Sequence, residues 1–354
     1  MAQDPENHGA WMPAPKVIPL EIQPTPYTAP GPGQLVVRNS ALGINPVDWA
    51  KQMLGDVMLG YVKYPIILGE DIAGSVVAVG EGASRFRVGD RVLAIAGAIV
   101  SNNAAEGGFQ QYTVVREWLT TPLPAHVSFE QGCVLPLALL TASQGMFDKN
   151  YLGLDLPTVP ARPTTASDGK SKRVVLIAGG ASALGSTAIQ LAKSAGYEVV
   201  STASPKNFDY VKQLGASNVF DYKSDTLADD LTAAVRDQQL CGCLSIGDGT
   251  ADVFAKVLKS HLGPGPTSMR IARAEGKCNV ESGGEVEVKF VINSIAPDCP
   301  ARPIFEEYLG KALAKRQFVP KPDPEVAGHG LEKIQDAFLV HKKGVSAKKI
   351  VVTL

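Results

Sequence analysis

The apolar positions of this chain change their spacing near residue 125. Before it they form short runs rich in β-branched residues. The clearest are residues 34–39 (QLVVRN), 74–79 (GSVVAV), 91–95 (RVLAI) and 111–115 (QYTVV). Pro-Gly, Gly-Asp and Gly-Glu pairs separate them, which predicts strands joined by tight turns in a mostly β domain. Beyond residue 125 strand-like runs alternate with helical spacing, the pattern of a parallel sheet covered by helices. Strands are predicted at 173–178, 198–202, 218–220 and 244–246, with a helix at about 207–214. Further helices are predicted at 304–315 and 330–342, and a last strand at 349–354. Residues 153–171 are rich in Pro, Thr and Ser and read as a surface loop; residues 263–285 mix strand-like pieces with Gly and Pro and assign to no element.

One stretch carries chemistry. Residues 173–204 (RVVLIAGGASALGSTAIQLAKSAGYEVVSTAS) read as strand, glycine-rich turn, helix and second strand. Ala188, Ile189, Leu191 and Ala192 recur at helical spacing, and Gly196 ends the helix. Such a turn lets the backbone approach a pyrophosphate, and the helix start offers it free N–H groups. The turn is Gly180-Ala181-Ser182-Ala183-Leu184-Gly185, with Ser182 at the place of the middle glycine. By itself it is a weak motif, equally compatible with an ordinary strand-helix turn; its βαβ setting favours a dinucleotide site. An NAD site carries an acid at the end of the second strand. Here Ala203, Ser204, Pro205 and Lys206 stand there. A hydroxyl and an ammonium suit a 2′-phosphate, so the expected cofactor is NADPH. Lys206 alone is equally a solvated surface lysine.

Composition narrows the class. With 354 residues and a formal net charge of −1, the chain is long enough for two domains and shows no bias toward nucleic acid or membrane surfaces. No apolar run approaches the ~18 residues needed to span a bilayer, and the N-terminus lacks the basic and apolar regions of a secretory signal. Five scattered cysteines, Cys133, Cys241, Cys243, Cys278 and Cys299, fit a reducing, cytoplasmic setting better than a disulfide framework. Cys241 and Cys243 read as part of a buried strand rather than a metal knuckle.

Several segments together resemble the medium-chain dehydrogenase/reductase superfamily. They are GINPVDW (43–49), YPIILGEDIAGSVVAVGEGASRFRVGDRV (64–92), GGFQQYTVV (107–115), LPLALLTASQGMF (135–147) and the glycine turn, in the order of that family. The resemblance implies an α/β chain: a GroES-like β-barrel domain, residues 1–125 completed by 296–354, and a doubly wound Rossmann domain at 126–295. At the family's catalytic-zinc positions stand Asn45, Glu70 and Leu137, and residues 97–107 hold none of the cysteines of its structural-zinc lobe. The implied metal is therefore none. The zinc-free branch holds quinone oxidoreductases and enoyl reductases, and this chain is similar to the fungal trans-acting enoyl reductases of polyketide synthesis.

Carried over residue by residue, the resemblance implies that Ser204, Lys206 and Asn207 hold the 2′-phosphate and that Tyr222 lies beside the adenosine. Gly180, Ser182, Ala183, Leu184 and Gly185 line the pyrophosphate turn. Thr141, Asn293 and Ser294 approach the nicotinamide, and Lys348 or Lys349 closes over the cofactor or is a surface lysine. Asn45, Asp48 and Lys51 lie on the loop that faces substrate. Lys51 is either an enolate-stabilising or phosphate-binding donor or a solvated charge; Asp48 reads as a helix cap. Tyr61 and Tyr64 lie near this loop, and proton delivery falls to a tyrosine or to water. The expected substrate is a small or acyl-carrier-bound unsaturated molecule, with a polyketide synthase as candidate partner and a monomeric or dimeric state. Two alternatives remain: a zinc-free carbonyl reductase and a non-enzymatic NADPH-binding protein.

Overall fold

A computed structural model describes residues 5–164, 171–262, 269–274 and 285–354. Cys278 and most of residues 263–285 lie outside the described residues. The chain divides into two compact units. One holds residues 1–137, 295–297 and 305–354; the other holds 138–294 and 298–304. Residues 126–137 thus go with the β-rich unit, because the short helix Phe129–Gly132 packs against its strands.

The first unit is built on one long strand, Gln34–Gly43. The antiparallel strand Asp71–Val79 lies along one edge of it. The other edge is shared: Tyr112–Arg116 pairs with residues 34–38, and the C-terminal strand Lys348–Thr353 with residues 41–43. Register shifts at Val36/Val37 and Asn39/Ala41 bend the strand between its partners. Arg91–Ile95 and Thr120–Pro122 extend the sheet on one side and Asp323–His329 on the other. A second, three-stranded sheet joins Glu21–Thr25, Asn7–Met12 and Ile66–Ile67. The core between them includes Leu35, Val37, Ile72, Val92, Phe109, Phe338 and Ile350, so the C-terminal residues supply part of it.

The second unit is a six-stranded parallel sheet. Across it run Ala216–Asp221, Glu198–Ala203, Arg173–Ile177, Gln239–Ser245, Met269–Arg273 and Val286–Phe290, the order 3-2-1-4-5-6 in chain sequence. This is the doubly wound arrangement with its switch point beside the first strand. Helices Ala183–Ser194, Leu227–Val235 and Thr250–His261 pack on it. Its central strands are apolar and mostly buried, as parallel strands are: Val174, Leu176, Val200 and Ile271 share a core with Leu231, Phe254 and Leu258. The α/β fold class read from the sequence is the one observed.

Two helices differ from expectation. Residues 304–315 begin as a π-helix, Ile304–Tyr308, before the α-helix Leu309–Ala314; there the Thr121 hydroxyl donates to Phe305 O at 2.7 Å. Residues 330–342 open with a 3-10 turn, Leu331–Lys333, before Ile334–Lys342. Among the described residues no helix is long and apolar enough to cross a membrane.

Gly185 is the residue that the strand-turn-helix geometry tolerates least well in any other form. A Cβ there would lie 2.2 Å from Gly179 O. Gly185→Ala is expected to cost roughly 1–3 kcal/mol, read as a lower denaturant midpoint at unchanged slope.

Candidate functional site

The glycine turn begins at Gly179, which takes φ +57°. It is tied to the end of the second strand: Gly179 N–H donates to Thr202 Oγ1 at 3.2 Å and Gly180 N–H to Thr202 O at 2.8 Å. A Cβ on Gly180 would stand 2.5 Å from Ser201 Oγ. The turn and the segment after residue 203 are thereby held side by side. Ser182 is more than a tolerated replacement for glycine. It is the N-cap of helix Ala183–Ser194, and its Oγ accepts the Gly185 N–H at 3.0 Å. Ala183 and Leu184 are the first two helical residues, so their N–H groups point out of the helix start.

Ser204 caps a 3-10 turn, Pro205–Asn207, without using its hydroxyl for the cap. Ser204 and Asn207 are half-buried and Lys206 is exposed. Tyr222 follows the third strand and is 48 % exposed, with Lys223 Nζ 5.8 Å from its ring centre. Thr141 and Asn293 meet: Asn293 Nδ2 donates to Thr141 Oγ1 at 3.0 Å. That bond leaves Asn293 Oδ1 buried and without a partner among the described residues. Ser294, next in the chain, is half-buried. All these residues belong to the second unit.

The first unit carries a buried polar cluster. Lys349, on the C-terminal strand, is 3 % exposed. Its Nζ lies 2.7 Å from Asp71 Oδ2 and 2.5 Å from Asn45 Oδ1. Asn45 Nδ2 donates to the same Asp71 oxygen at 2.9 Å. The other, Asp71 Oδ1, accepts the Leu137 N–H at 2.6 Å, at the start of helix Pro136–Phe147. Lys349 is therefore neither a surface lysine nor free to reach out: its ammonium is spent inside the unit. Sequence reasoning missed Asp71 altogether. Its only sequence signal was an acid at the entrance to a strand otherwise apolar, an environment that demands a counter-charge.

Asp48 is fully buried, and its Oδ2 accepts the Asn45 N–H at 2.8 Å in a capping box that opens helix Pro46–Leu54. Burial pushes its carboxyl from 3.8 up to about 7, against the Asn45 hydrogen bond, with the Asp71 charge adding to the rise. Glu70 is 7 % exposed and is held well above the ordinary carboxylate range by burial and by the charges of Asp48 and Asp71. Trp49 Nε1 donates to His341 Nδ1 at 3.0 Å, and burial with the Lys349 charge lowers that imidazole to about 4.

Lys51 corrects an expectation. It is fully buried, not solvated, and its Nζ donates to Gly55 O at 3.1 Å, Met58 O at 3.0 Å and Leu59 O at 3.1 Å. An ammonium has three protons, and all three are used to shape the loop after its helix. It has none left for an enolate or a phosphate. Asn45 is likewise committed, through both ends of its amide, to Asp71 and Lys349.

At the positions matching the family's zinc ligands, Leu137 offers an aliphatic side chain and Asn45 Oδ1 faces an ammonium; Glu70 alone offers a carboxylate. That is not the N/S set zinc selects.

The raised Asp48 carboxyl has a consequence for stability. The folded chain keeps a proton that the unfolded chain releases above 3.8. The stability this contributes is fully present below about 3.8 and is lost progressively as pH rises from there to about 7, by an amount on the order of a few kcal/mol. In Asp48→Asn, which retains an acceptor for the Asn45 N–H, the denaturant midpoint is expected to fall less steeply than in the parent between about pH 4 and pH 7.

Comparisons with known proteins place this geometry. The GroES-like domain of alcohol dehydrogenases matches residues 31–125. The chain is 42% identical to a dehydrogenase (pigH) of Monascus ruber, over 99% of this chain and 100% of that one. It is 33% identical to a trans-enoyl reductase (himH) of Aspergillus japonicus, over 98% and 97%. The crystal structure of the CurK enoyl reductase shares the fold, with a TM-score of 0.73, 20% identity and coverage of 98% and 99%. Identity at this level across nearly the whole of both chains, on a GroES-like unit followed by a doubly wound sheet, decides the family: the chain belongs to the medium-chain dehydrogenase/reductase superfamily of oxidoreductases, in its enoyl reductase branch.

Proposed function

We propose that the chain is an NADPH-dependent, zinc-independent reductase that delivers a hydride to an activated carbon-carbon double bond, in an enone or a polyketide enoyl thioester, or to a quinone. The family uses a nicotinamide cofactor. The observation that carries the choice of NADPH is the end of the second strand. It is bonded to the glycine turn through Thr202, and it continues into Ser204 and Lys206 with no acid to meet a ribose 2′-hydroxyl. When bound, the cofactor supplies the hydride.

The protein's own residues bind and orient. Ala183 and Leu184 offer backbone N–H groups to the pyrophosphate. Ser204, Lys206 and Asn207 meet the 2′-phosphate, with Tyr222 beside the adenosine. Asn293 Oδ1, the orphan acceptor held by Thr141, suits a carboxamide N–H, and Ser294 follows it. Zinc independence rests on the donor set: Asn45 faces the Lys349 ammonium and Leu137 has no donor. The substrate class rests on the relatives named trans-enoyl reductases. A carrier-bound substrate would bring a polyketide synthase as partner. The free cysteines Cys133, Cys241, Cys243 and Cys299 suit a cytoplasmic setting.

The test is NADPH oxidation with enones, enoyl thioesters and quinones, with and without a chelator. A saturated ketone or thioester as product supports the proposal; an alcohol product makes the protein a carbonyl reductase, and tight NADPH binding without turnover makes it a non-enzymatic binder. Lys206→Ala is expected to weaken NADPH binding about tenfold, since a charge-assisted hydrogen bond is worth roughly 1.5–3 kcal/mol before screening at an exposed site. NADH binding should hardly change. Equal loss for both cofactors, measured by calorimetry, would remove Lys206 from the 2′-phosphate site.

A further inference from the structure

Within the second unit, Gly180 is tied to both ends of one segment. Its N–H donates to Thr202 O at 2.8 Å, near the end of strand Glu198–Ala203. Its carbonyl accepts the Ser186 hydroxyl at 3.0 Å. Ser186 Oγ in turn lies 2.9 Å from the Tyr210 hydroxyl. A serine has one hydroxyl proton, and Gly180 takes it, so the Tyr210 O–H donates the second bond. The result is a relay from Tyr210 through Ser186 to Gly180, which ties the first turn of helix Phe208–Leu214 to the glycine turn. Between Thr202 and Tyr210 lies the short turn Pro205–Asn207, with Ser204 at its cap. The segment 204–207 is therefore anchored to Gly180 from both ends.

Helix propensity alone would not place a serine at this point. Ser186 is fully buried inside helix Ala183–Ser194, where alanine is the better helix former. A buried hydroxyl needs partners, and Ser186 finds them outside its own helix, in the glycine turn and in Tyr210. A second contact points the same way. Val211, next to Tyr210, is fully buried, and a Cβ on Gly180 would stand 2.8 Å from Val211 Cγ1. A hydrogen-bonded contact and an apolar one thus set the same helix start against the same glycine.

We propose that Tyr210 is a positioning residue for the choice of cofactor: by fixing the spacing between the glycine turn and the segment 204–207, it sets the preference for NADPH over NADH. The assignment rests on the reading of Ser204, Lys206 and Asn207 as the 2′-phosphate site. The helix start at Ala183 and Leu184 serves the pyrophosphate of either cofactor. The 2′-phosphate belongs to NADPH alone, and a ligand that uses both places needs them held in one geometry. A segment that is already fixed costs less to order on binding. Tyr210 acts through that segment and not by contact with the cofactor, because its hydroxyl proton is given to Ser186.

Tyr210→Phe removes only the hydroxyl. Calorimetry on the full-length protein should show NADPH binding weakened about fivefold, the change that corresponds to one neutral hydrogen bond. NADH binding should be nearly unaltered. In the cofactor-free variant, amide hydrogen exchange should quicken over residues 204–210 but not in strand Gln239–Ser245, and NADPH should restore the protection. Ser186→Ala breaks the relay from its other side. It should also lower the ratio of NADPH to NADH affinity, on top of a loss common to both cofactors, since it releases the Gly180 carbonyl as well. It carries the test where Tyr210→Phe does not fold. A Tyr210→Phe protein that keeps the parent's affinity ratio, or loses both cofactors equally, overturns the role of Tyr210 and leaves the NADPH reading standing. A parent that binds NADH as tightly as NADPH overturns both.

Discussion

The buried ion pair between Lys349 and Asp71 is the constraint around which the first unit's polar interior is arranged. At 2.7 Å, with the Lys349 side chain 3 % exposed and that of Asp71 fully buried, neither charge is screened by solvent. Such a pair is weak evidence of net stability, but removing one partner strands the other and costs several kcal/mol. The pair therefore fixes whatever bonds to it. Asn45, which opens the helix carrying Lys51, is held by both members. Leu137, at the start of the helix carrying Thr141, is held by the second Asp71 oxygen. The C-terminal strand is pinned at its own lysine while its neighbours Ile350 and Val352 enter the core.

That arrangement explains the division of labour among the acids. One ammonium can answer one carboxylate. Asp71 has it, so Asp48 and Glu70 are pushed toward the neutral form. Asp48 turns its condition into structure, accepting a backbone N–H at the helix start. The same accounting disposes of Lys51: three carbonyl oxygens of its own loop absorb its three protons, so its charge supports the loop and is not presented by it.

Much of the fold was legible because it is written locally. The strand at 91–95 and the helix between Ala183 and Gly196 follow from period and punctuation over a few residues. The glycine turn was legible for the same reason: Gly185 is excluded from carrying a side chain by Gly179, six residues away. The polar cluster was not legible. Asp71 and Lys349 are 278 positions apart, and Lys349 sits in a run, SAKKIVVTL, whose adjacent lysine is exposed. Nothing within that run tells which lysine turns inward; the pleat of a strand paired to Gln34–Gly43 does. Thr141 and Asn293, 152 positions apart, are the intermediate case. Both were singled out by resemblance, and the bond between them was invisible without coordinates.

The sequence by itself determined the order of the two units, the doubly wound sheet and a glycine-rich turn followed by a strand with no acid at its end. These depend on interactions between near neighbours and on what single residue types permit. Only the tertiary structure decided which charges are answered. Whether a carboxyl is a cap, one half of an ion pair or a stored proton depends on which strand end and which helix start close around it, and on how few cations reach the same interior.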